Sequence, residues 1–194
     1  MAADHSLTED ASEDASADPT FDPETGITDR NRGAVAGLLG HVLADSYQLF
    51  IKTQGVHWNV TGPLFYSVHK LTEEHYTNLF EAVDMLAERI RALGHKTPAS
   101  YSKYGELSEI KDEDEPQDAH AMLDMLCTDH EAVCRSLRKA IAKCDDKKDF
   151  VTGDMLIARL AWHEEAIWML TALSQGGKAS DPLKAYETAV GKRP

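Results

Sequence analysis

The sequence predicts an all-α protein built as a four-helix bundle, with a short helix in the long connection at its middle. Apolar residues recur at every third or fourth position in four stretches of about 25 residues each. Glycine and proline residues separate these stretches, and the apolar–polar alternation that is typical of strands is nearly absent. The chain has 194 residues and no internal repeat, which suits one bundle domain with tails.

The first two predicted helices are separated by a turn at Gly62-Pro63. The first apolar stripe begins after Arg30 and ends before this turn. Pro63 suits the first position of the second helix, because the N–H that proline lacks would have no helical partner there. The second stripe runs to Leu93, and Gly94 is placed to end the helix because glycine readily adopts the left-handed conformation of a C-terminal cap.

The second half of the chain contains two further predicted helices. Residues 95–116 are polar and form the long middle connection, in which a short helix is expected around Glu106–Ile110. The third long helix is expected from about residue 117 to 144, and the fourth from about residue 149 to 174. The glycine pair at 176–177 then stops the fourth helix.

The distribution of charge divides the chain into a bundle and two tails. Residues 1–29 hold nine of the 33 acidic residues and none of the 20 lysines and arginines. Because this segment has few large apolar residues to bury, we expect a disordered acidic N-terminal tail. Without it, the net charge of −13 becomes −4, which is ordinary for a soluble domain. The bundle is expected at 30–175, followed by a C-terminal extension at 176–194.

Composition also indicates a compartment and excludes some partners. No stretch approaches 18 consecutive apolar residues, so no transmembrane helix is expected, and the acidic N-terminus differs from a signal peptide. The chain has three cysteines, Cys127, Cys134 and Cys144, which is an odd number, and they form no CxxC motif. This pattern suits small buried apolar groups in a protein of the reducing cytoplasm. The negative charge disfavours tight non-specific binding to a polyanion.

The second predicted helix carries histidine and acidic residues on one side. At about 100° per residue, His69, Glu73, Asp84 and Glu88 lie within one arc of roughly 100°. This arc adjoins the apolar stripe, where a carboxylate is costly unless another group pairs with it. Glu73 and Asp84 lie about 16 Å apart along the helix axis, so a single helix cannot bring all four side chains to one metal ion.

Two copies of this helix can build such a site together. When the copies run antiparallel across a two-fold axis, residues whose numbers have the same sum face each other. That sum is 157 for His69 with Glu88 and for Glu73 with Asp84. Two identical clusters result, each within reach of a His57, and their imidazole and carboxylate groups suit ferrous iron better than zinc. The alternative interpretation is a solvated helix face, because equal sums also arise by chance.

The residues around this helix resemble a known family. Residues 52–94, KTQGVHWNVTGPLFYSVHKLTEEHYTNLFEAVDMLAERIRALG, resemble the signature of the Dps family, the ferritin-like DNA-binding proteins from starved cells. The resemblance extends over about residues 30–175, and residues 154–170 resemble the family's fourth helix. The family usually has Asp where this chain has Glu73, a longer side chain that can still bind a metal, directly or through water. The family's ferroxidase pattern falls on His57, His69, Glu73, Asp84 and Glu88.

The resemblance implies twelve identical subunits in a hollow shell. It implies oxidation of Fe²⁺, preferably by hydrogen peroxide, and storage of the ferric product as mineral, which protects DNA and the cell from oxidative damage. Iron enters such shells through three-fold pores lined by acids, for which Asp145, Asp149 and Asp154 are the matching residues. The alternative is that these acids simply suit a helix connection and a first turn. The residues His163, Glu164 and Glu165 are interpreted as helix surface, with mineral nucleation as the alternative.

A second function stays open, in which the shell coats DNA and iron chemistry is secondary. Many DNA-binding members of the family carry a lysine-rich N-terminal tail, whereas the tail here is anionic. The C-terminal extension is only mildly basic, although many copies can act together. We therefore expect weak or absent DNA binding and no membrane partner. The charged residues considered in the C-terminal extension are Lys178, Lys184, Lys192 and Arg193, against Asp181 and Glu187.

Overall fold

The computed structural model describes residues 15–112 and 118–176. Within these ranges the chain forms five α-helices, and the only β-type pairing there is one isolated bridge. The four long helices form the bundle and the short one lies in the middle connection, so the predicted fold class is confirmed. The helices are α1 (Asp29–Asn59), α2 (Phe65–Ala92), α3 (Tyr101–Leu107), α4 (Ala119–Lys147) and α5 (Phe150–Gly176).

The helices α1 and α2 form the first helical hairpin. The Thr28 hydroxyl caps α1 by accepting a backbone N–H bond, and Gly62 occupies the connecting turn with a φ of 86°. The second helix begins at Phe65 rather than at the predicted Pro63, because the backbone N–H of Phe65 bonds to the Gly62 carbonyl and closes a turn first. Gly94 ends α2 in the left-handed conformation, with a φ of 87°, as predicted.

The short helix α3 lies earlier than the sequence pattern suggested. It was expected around Glu106–Ile110, but it begins at Tyr101 and ends at Leu107. The Ser100 side chain caps its first turn, and the Tyr104 ring stacks on Tyr47 of α1 with the ring centroids 4.5 Å apart. The cap and the aromatic contact therefore position the helix, and it begins five residues before the predicted start.

The helices α4 and α5 form the second hairpin. Asp118 caps α4 by accepting the backbone N–H groups of His120 and Ala121. Lys148 ends α4 in the left-handed conformation with a φ of 60°, and α5 begins two residues later. This tight connection keeps the two helices antiparallel and in contact along their length.

The core lies between the four long helices, where α1 packs against α2 and α4, and α4 packs against α5. One window of α1 is apolar and long enough to cross a membrane, with a mean hydropathy of 1.3, but 61% of it is buried in the bundle, as is usual for a core helix. Burial of each large apolar side chain stabilises the fold by about 1.5–3 kcal/mol. The largest fully buried apolar side chains are Leu39, Leu43, Leu49, Leu79, Leu86, Ile90, Leu123, Leu126, Leu137, Leu156 and Leu170.

The buried carboxylate of Asp45 fastens the middle connection to the bundle. One oxygen accepts the Ser108 hydroxyl at 2.8 Å and the Glu109 backbone N–H at 2.7 Å, and the other accepts the Ser136 hydroxyl at 2.7 Å. A buried carboxylate is tolerated when hydrogen-bond donors surround it in this way. Asp45 therefore links α1, the connection and α4.

Part of the segment predicted as a disordered tail is instead bound to the bundle. The backbone N–H of Asp18 donates to a carbonyl just beyond α2 at 2.9 Å, and its carboxylate pairs with Arg91. The acidic residues were expected to remain solvated, but arginines of the bundle supply partners for them. This correction concerns residues 15–28; residues 1–14 and 177–194, which include about half of the predicted N-terminal tail and nearly all of the C-terminal extension, lie outside the described part of the chain.

Candidate metal centre

Two histidines from neighbouring helices form the centre of the predicted site. His57 lies in the last turn of α1 and His69 in the second turn of α2. The Nδ1 of His57 is 2.8 Å from the His69 carbonyl oxygen, and the Nδ1 of His69 is 2.9 Å from the His57 carbonyl oxygen. Because a carbonyl only accepts, each Nδ1 carries a hydrogen, so in the neutral form of each ring the lone pair is on Nε2. This tautomer is the one that binds a metal through Nε2.

Aromatic side chains hold the two imidazole rings in place. The rings of His57 and His69 stack with their centroids 3.8 Å apart. The Phe65 ring lies 5.1 Å from that of His69, and the Tyr76 ring meets His57 edge-on, also at 5.1 Å. His57 is buried, whereas His69 is half-buried, so the pair lies at the margin of the bundle. Packing on both sides restricts ring rotation, which fixes the direction of the lone pairs.

Glu73 lies one helical turn after His69 and is half-buried. The Nζ of Lys70 is 2.7 Å from Glu73 Oε2. This hydrogen bond and the charge of Lys70 hold the pKa of Glu73 below its usual value, and the nearby His57 and His69 contribute in the same direction. Glu73 is therefore a carboxylate at neutral pH, as a metal ligand must be.

Asp84 and Glu88 lie further along the same side of α2, and both are exposed. Neither makes a hydrogen bond or an ion pair with the residues that the structure describes. Within those residues, no group of three or more histidine, cysteine or acidic side chains is placed to hold a metal ion in one chain. The chain thus brings His57 and His69 together and leaves Asp84 and Glu88 apart from them.

Large apolar side chains of α2 are exposed, and one of them, Phe80, lies between the histidine end and the acidic end of this face. Phe80 is 63% exposed, and Tyr66 and Met85 are also exposed. At about 100° per residue, Phe80 lies within roughly 40° of both Glu73 and Asp84, so it shares their side of the helix. A protein surface that groups apolar and unpaired acidic side chains in this way is typical of an interface.

The three acids that were assigned to a pore occupy different environments. Asp145 and Asp154 are exposed at the end of α4 and in the second turn of α5. Asp149 is only 1% exposed, and one of its oxygens accepts a hydrogen bond from Arg89 at 2.8 Å. It also accepts the Thr152 backbone N–H at 3.1 Å. The assignment of Asp149 to a metal pore is therefore corrected: this carboxylate caps α5 and neutralises an arginine.

Sequence reasoning missed a buried histidine cluster formed by His75 of α2, His130 of α4 and His163 of α5. The Nδ1 atoms of His130 and His163 are 2.9 Å apart, and the His75 and His130 rings lie 5.6 Å apart. The interpretation of residues 163–165 as helix surface is thus wrong for His163. The sequence does contain a signal for the burial of His163, because it lies seven residues from both Leu156 and Leu170 on the apolar stripe of α5.

Burial keeps this cluster neutral. Desolvation holds the pKa values of His130 and His163 well below the usual value, and the pKa of His75 falls to about 4 for the same reason. Arg159 adds to this effect, since its guanidinium lies 3.4 Å from His163 Nε2. The cluster is on the core side of α2 and separate from the candidate metal centre, because His75 is buried and lies about 120° around the helix from His69 and about 160° from Glu73.

The cysteines lie where small apolar groups were predicted. Cys134 and Cys144 are buried, Cys127 is half-buried, and all three are free thiols. Burial raises the pKa of Cys134 to about 11 and that of Cys144 to about 12, so both thiols are protonated and unreactive at neutral pH.

The helical bundle and its histidine–carboxylate side together define a ferritin-like protein. The family model of the ferritin-like domain matches residues 36–178. The chain is 33% identical over 138 residues to DNA protection during starvation protein 2 of Bacillus anthracis, a match that covers 71% of this chain and 94% of the relative. The chain belongs to the Dps family of ferritin-like proteins.

Two further proteins are similar to this chain. A low temperature-induced protein of Nostoc is 39% identical over 173 residues, which is 86% of this chain and 96% of that protein. The crystal structure of the Dps protein from Vibrio cholerae, described as a member of a broad superfamily of ferritin-like diiron-carboxylate proteins, superposes with a TM-score of 0.74 at 27% identity. That match covers 77% of this chain and 94% of the other.

Proposed function

We propose that this protein oxidises Fe²⁺ at sites shared between two subunits and stores the ferric product inside a closed shell. The observation that carries the proposal is the arrangement along α2. The imidazoles of His57, from the end of α1, and His69 lie at one end, and the carboxylates of Asp84 and Glu88, which have no partner among the described residues, lie about four to five turns away on the side of His69. Family membership supports iron storage and protection from oxidative damage as the general role. The division of the site between subunits and the use of hydrogen peroxide go beyond that role.

A two-fold axis near residues 78 and 79 completes the site. An antiparallel copy of α2 places Asp84 of one chain opposite Glu73 of the other, and Glu88 opposite His69. The same pairing covers the exposed Phe80 ring, which lies next to the axis. An isologous dimer of this kind always creates two equivalent sites, because each chain supplies both halves. The dimer interface and the metal centre therefore depend on the same face of α2.

The ligand set explains how the residues promote oxidation of iron. The Nε2 lone pairs of His57 and His69 bind Fe²⁺, and the carboxylates of Glu73, Asp84 and Glu88 supply negative charge that favours Fe³⁺ over Fe²⁺. One hydrogen peroxide accepts two electrons, so that two Fe²⁺, one H₂O₂ and two protons give two Fe³⁺ and two waters. Each Fe³⁺ then reacts with two waters to give FeOOH and three protons, which is the mineral-forming step. Because two electrons reach the peroxide together, no hydroxyl radical is released.

The proposal also includes a closed shell and a cytoplasmic location. A closed assembly of twelve chains supplies the cavity that a mineral needs, and exposed Asp145 and Asp154 remain the acids proposed to attract Fe²⁺ at the pores. The free cysteines suit a reducing cytoplasm. DNA coating is the alternative role, and the names of several relatives refer to protection of DNA. The acidic N-terminal segment disfavours direct coating, so we propose that protection occurs through removal of iron and peroxide.

Mixed assemblies test whether the site is shared between subunits. One variant carries His57→Ala and His69→Ala, the other carries Asp84→Ala and Glu88→Ala, and each alone is expected to lose fast oxidation of Fe²⁺ by peroxide. After co-refolding at equal amounts, a shared site predicts about a quarter of the wild-type rate, because half of the dimers are mixed and each mixed dimer has one intact site. A rate no higher than that of the parent variants, in shells of normal size, would show that the site is not divided in this way.

A further inference from the structure

Lys70 is the one lysine or arginine between His69 and Glu88, the residues that bound the proposed metal-binding face of α2. Its position around the helix is the same as that of Glu88, because the two are 18 residues, or five helical turns, apart. The Lys70 ammonium group contacts Glu73 Oε2 at 2.7 Å, and the side chains are 52% and 43% exposed. The Lys70 ammonium group therefore pairs with the carboxylate of Glu73, which the proposed function assigns to iron binding.

We propose that Lys70 is a displaceable counter-ion that holds Glu73 while no iron is bound and competes with Fe²⁺ for its carboxylate. This inference rests on the proposed shared site. Oε2 accepts the Lys70 hydrogen bond through a lone pair that a metal ion can also use, so a metal bound through that lone pair displaces the ammonium group. The ammonium group also repels an incoming cation until it moves away.

The length of the Glu73 side chain makes this competition possible in the observed geometry. A glutamate three residues after a lysine reaches it on the helix surface, as the measured contact shows. The flexible lysine stem is half-exposed, so the ammonium group can swing into water when a metal binds. While the metal is absent, the lysine reduces repulsion between Glu73 and the carboxylates that the second subunit brings to the site.

The expected effect is modest, because an exposed ion pair is weak. Loss of such a pair changes an equilibrium constant by a factor of roughly two to five, and removal of a like charge near a divalent cation adds a similar factor. Replacement of Lys70 with a neutral residue is therefore expected to raise metal affinity roughly four- to 25-fold. The gain should shrink at about 1 M salt, where the Debye length is only ~3 Å.

Binding of Co²⁺ to the assembled full-length protein tests this inference without depending on oxidation. The titration is followed through the visible absorbance of Co²⁺ in wild type, Lys70→Gln and Lys70→Arg. Lys103→Gln is the matched control, because Lys103 also pairs with a glutamate three residues later, at 3.0 Å, and is also 52% exposed. We expect tighter binding in Lys70→Gln alone, while Lys70→Arg and Lys103→Gln retain the wild-type affinity.

The outcomes test the role of Lys70 and the existence of the shared site separately. If Lys70→Gln binds Co²⁺ no more tightly than wild type does, Lys70 is not a competitor; weaker binding would show that it positions Glu73 instead. The double variant Asp84→Ala with Glu88→Ala is measured in parallel and is expected to lose high-affinity binding. If that double variant keeps the wild-type affinity, the shared site is wrong, whatever the result for Lys70.

Discussion

Arg89 and Asp149 form an ion pair that joins α2 to the start of α5, although the two residues are 60 positions apart in the chain. The Arg89 side chain donates to Asp149 Oδ1 at 2.8 Å and, through Nε, to the Thr152 hydroxyl at 2.7 Å. The Thr152 hydroxyl in turn donates to the second Asp149 oxygen at 2.5 Å. Both carboxylate oxygens are therefore occupied, which makes Asp149 a structural residue at the junction of the two helices.

Replacement of Asp149 should destabilise the fold and leave iron binding at a pore unchanged. Asp149→Ala removes the cap of α5 and leaves Arg89 without its acid, at an expected cost of about 3–5 kcal/mol. Urea unfolding measures this loss, and Asp145→Ala is the exposed control, expected within about 0.5 kcal/mol of wild type. An Asp149→Ala shell with normal stability but slowed iron uptake would instead support the assignment of Asp149 to a pore.

The contact between His57 and His69 predicts separate effects on stability and on oxidation. His57→Ala removes the ring that stacks on His69 and donates a hydrogen bond to the His69 carbonyl, and we expect a loss of about 1–3 kcal/mol together with at least a tenfold slower oxidation of Fe²⁺. His41→Ala is the matched control, since the His41 ring also bonds to a backbone carbonyl, that of Leu107, at 2.8 Å. It should lower stability without slowing oxidation. Equal slowing in both variants would mean that the rate depends on bundle stability alone.

The buried pair His130 and His163 predicts that the protein loses stability in mild acid. Both have pKa values well below the usual value of about 6.5 in the folded state, so below that pH the unfolded chain binds more protons. The free energy of unfolding therefore has its full value above pH ~6.5. Below that pH it falls as the pH decreases, by up to about 1.4 kcal/mol per pH unit for each histidine.

Unfolding between pH 7.5 and pH 4.5 measures this dependence. His163→Gln keeps a polar side chain that does not titrate, so its stability should fall less steeply with decreasing pH than that of wild type, whatever its stability at pH 7.5. His41→Gln, at a half-buried histidine of α1, should keep the wild-type slope. An unchanged slope in His163→Gln would show that this residue does not carry the acid sensitivity.

The size of the assembly is a direct test of the storage role. Light scattering of the full-length protein should give about twelve times the chain mass of 21.4 kDa. Phe80→Glu places new charges beside the proposed two-fold axis and should shift the assembly towards smaller species. A monomer under mild conditions would contradict the storage proposal, whereas a stable dimer would keep the metal site and lose the cavity.

Charge predicts weak DNA binding at physiological salt. Residues 1–14 contain five acids and no lysine or arginine, and phosphate contacts need cations. A gel-shift series in salt compares the full-length protein with variants lacking residues 1–14 or 178–194. Loss of the acidic segment should strengthen binding at low salt, and loss of the basic extension should weaken it. Firm binding by the full-length protein at about 0.15 M salt that disappears only without 178–194 would show that the C-terminal extension outweighs the acidic segment.

The helices and their ends were largely predictable because they depend on local pattern. The spacing of apolar residues indicated all four long helices, and Gly94 ended α2 at the predicted position. The same helical geometry placed His69, Glu73, Asp84 and Glu88 on one side of α2 before any tertiary contact was known. The short helix α3 was displaced because a cap at Ser100 and a ring contact to α1 outweighed the weak local pattern.

The sequence by itself thus determined the fold class, the family and the candidate ligands on α2, since these follow from periodicity and from a long contiguous motif. Only the tertiary structure decided the partners of single side chains. It bound Asp149 to Arg89, anchored Asp18 on Arg91, buried His163 against His130, and set the tautomers of His57 and His69. These contacts join residues far apart in the chain, and the burial and charge that select them arise only when the helices pack.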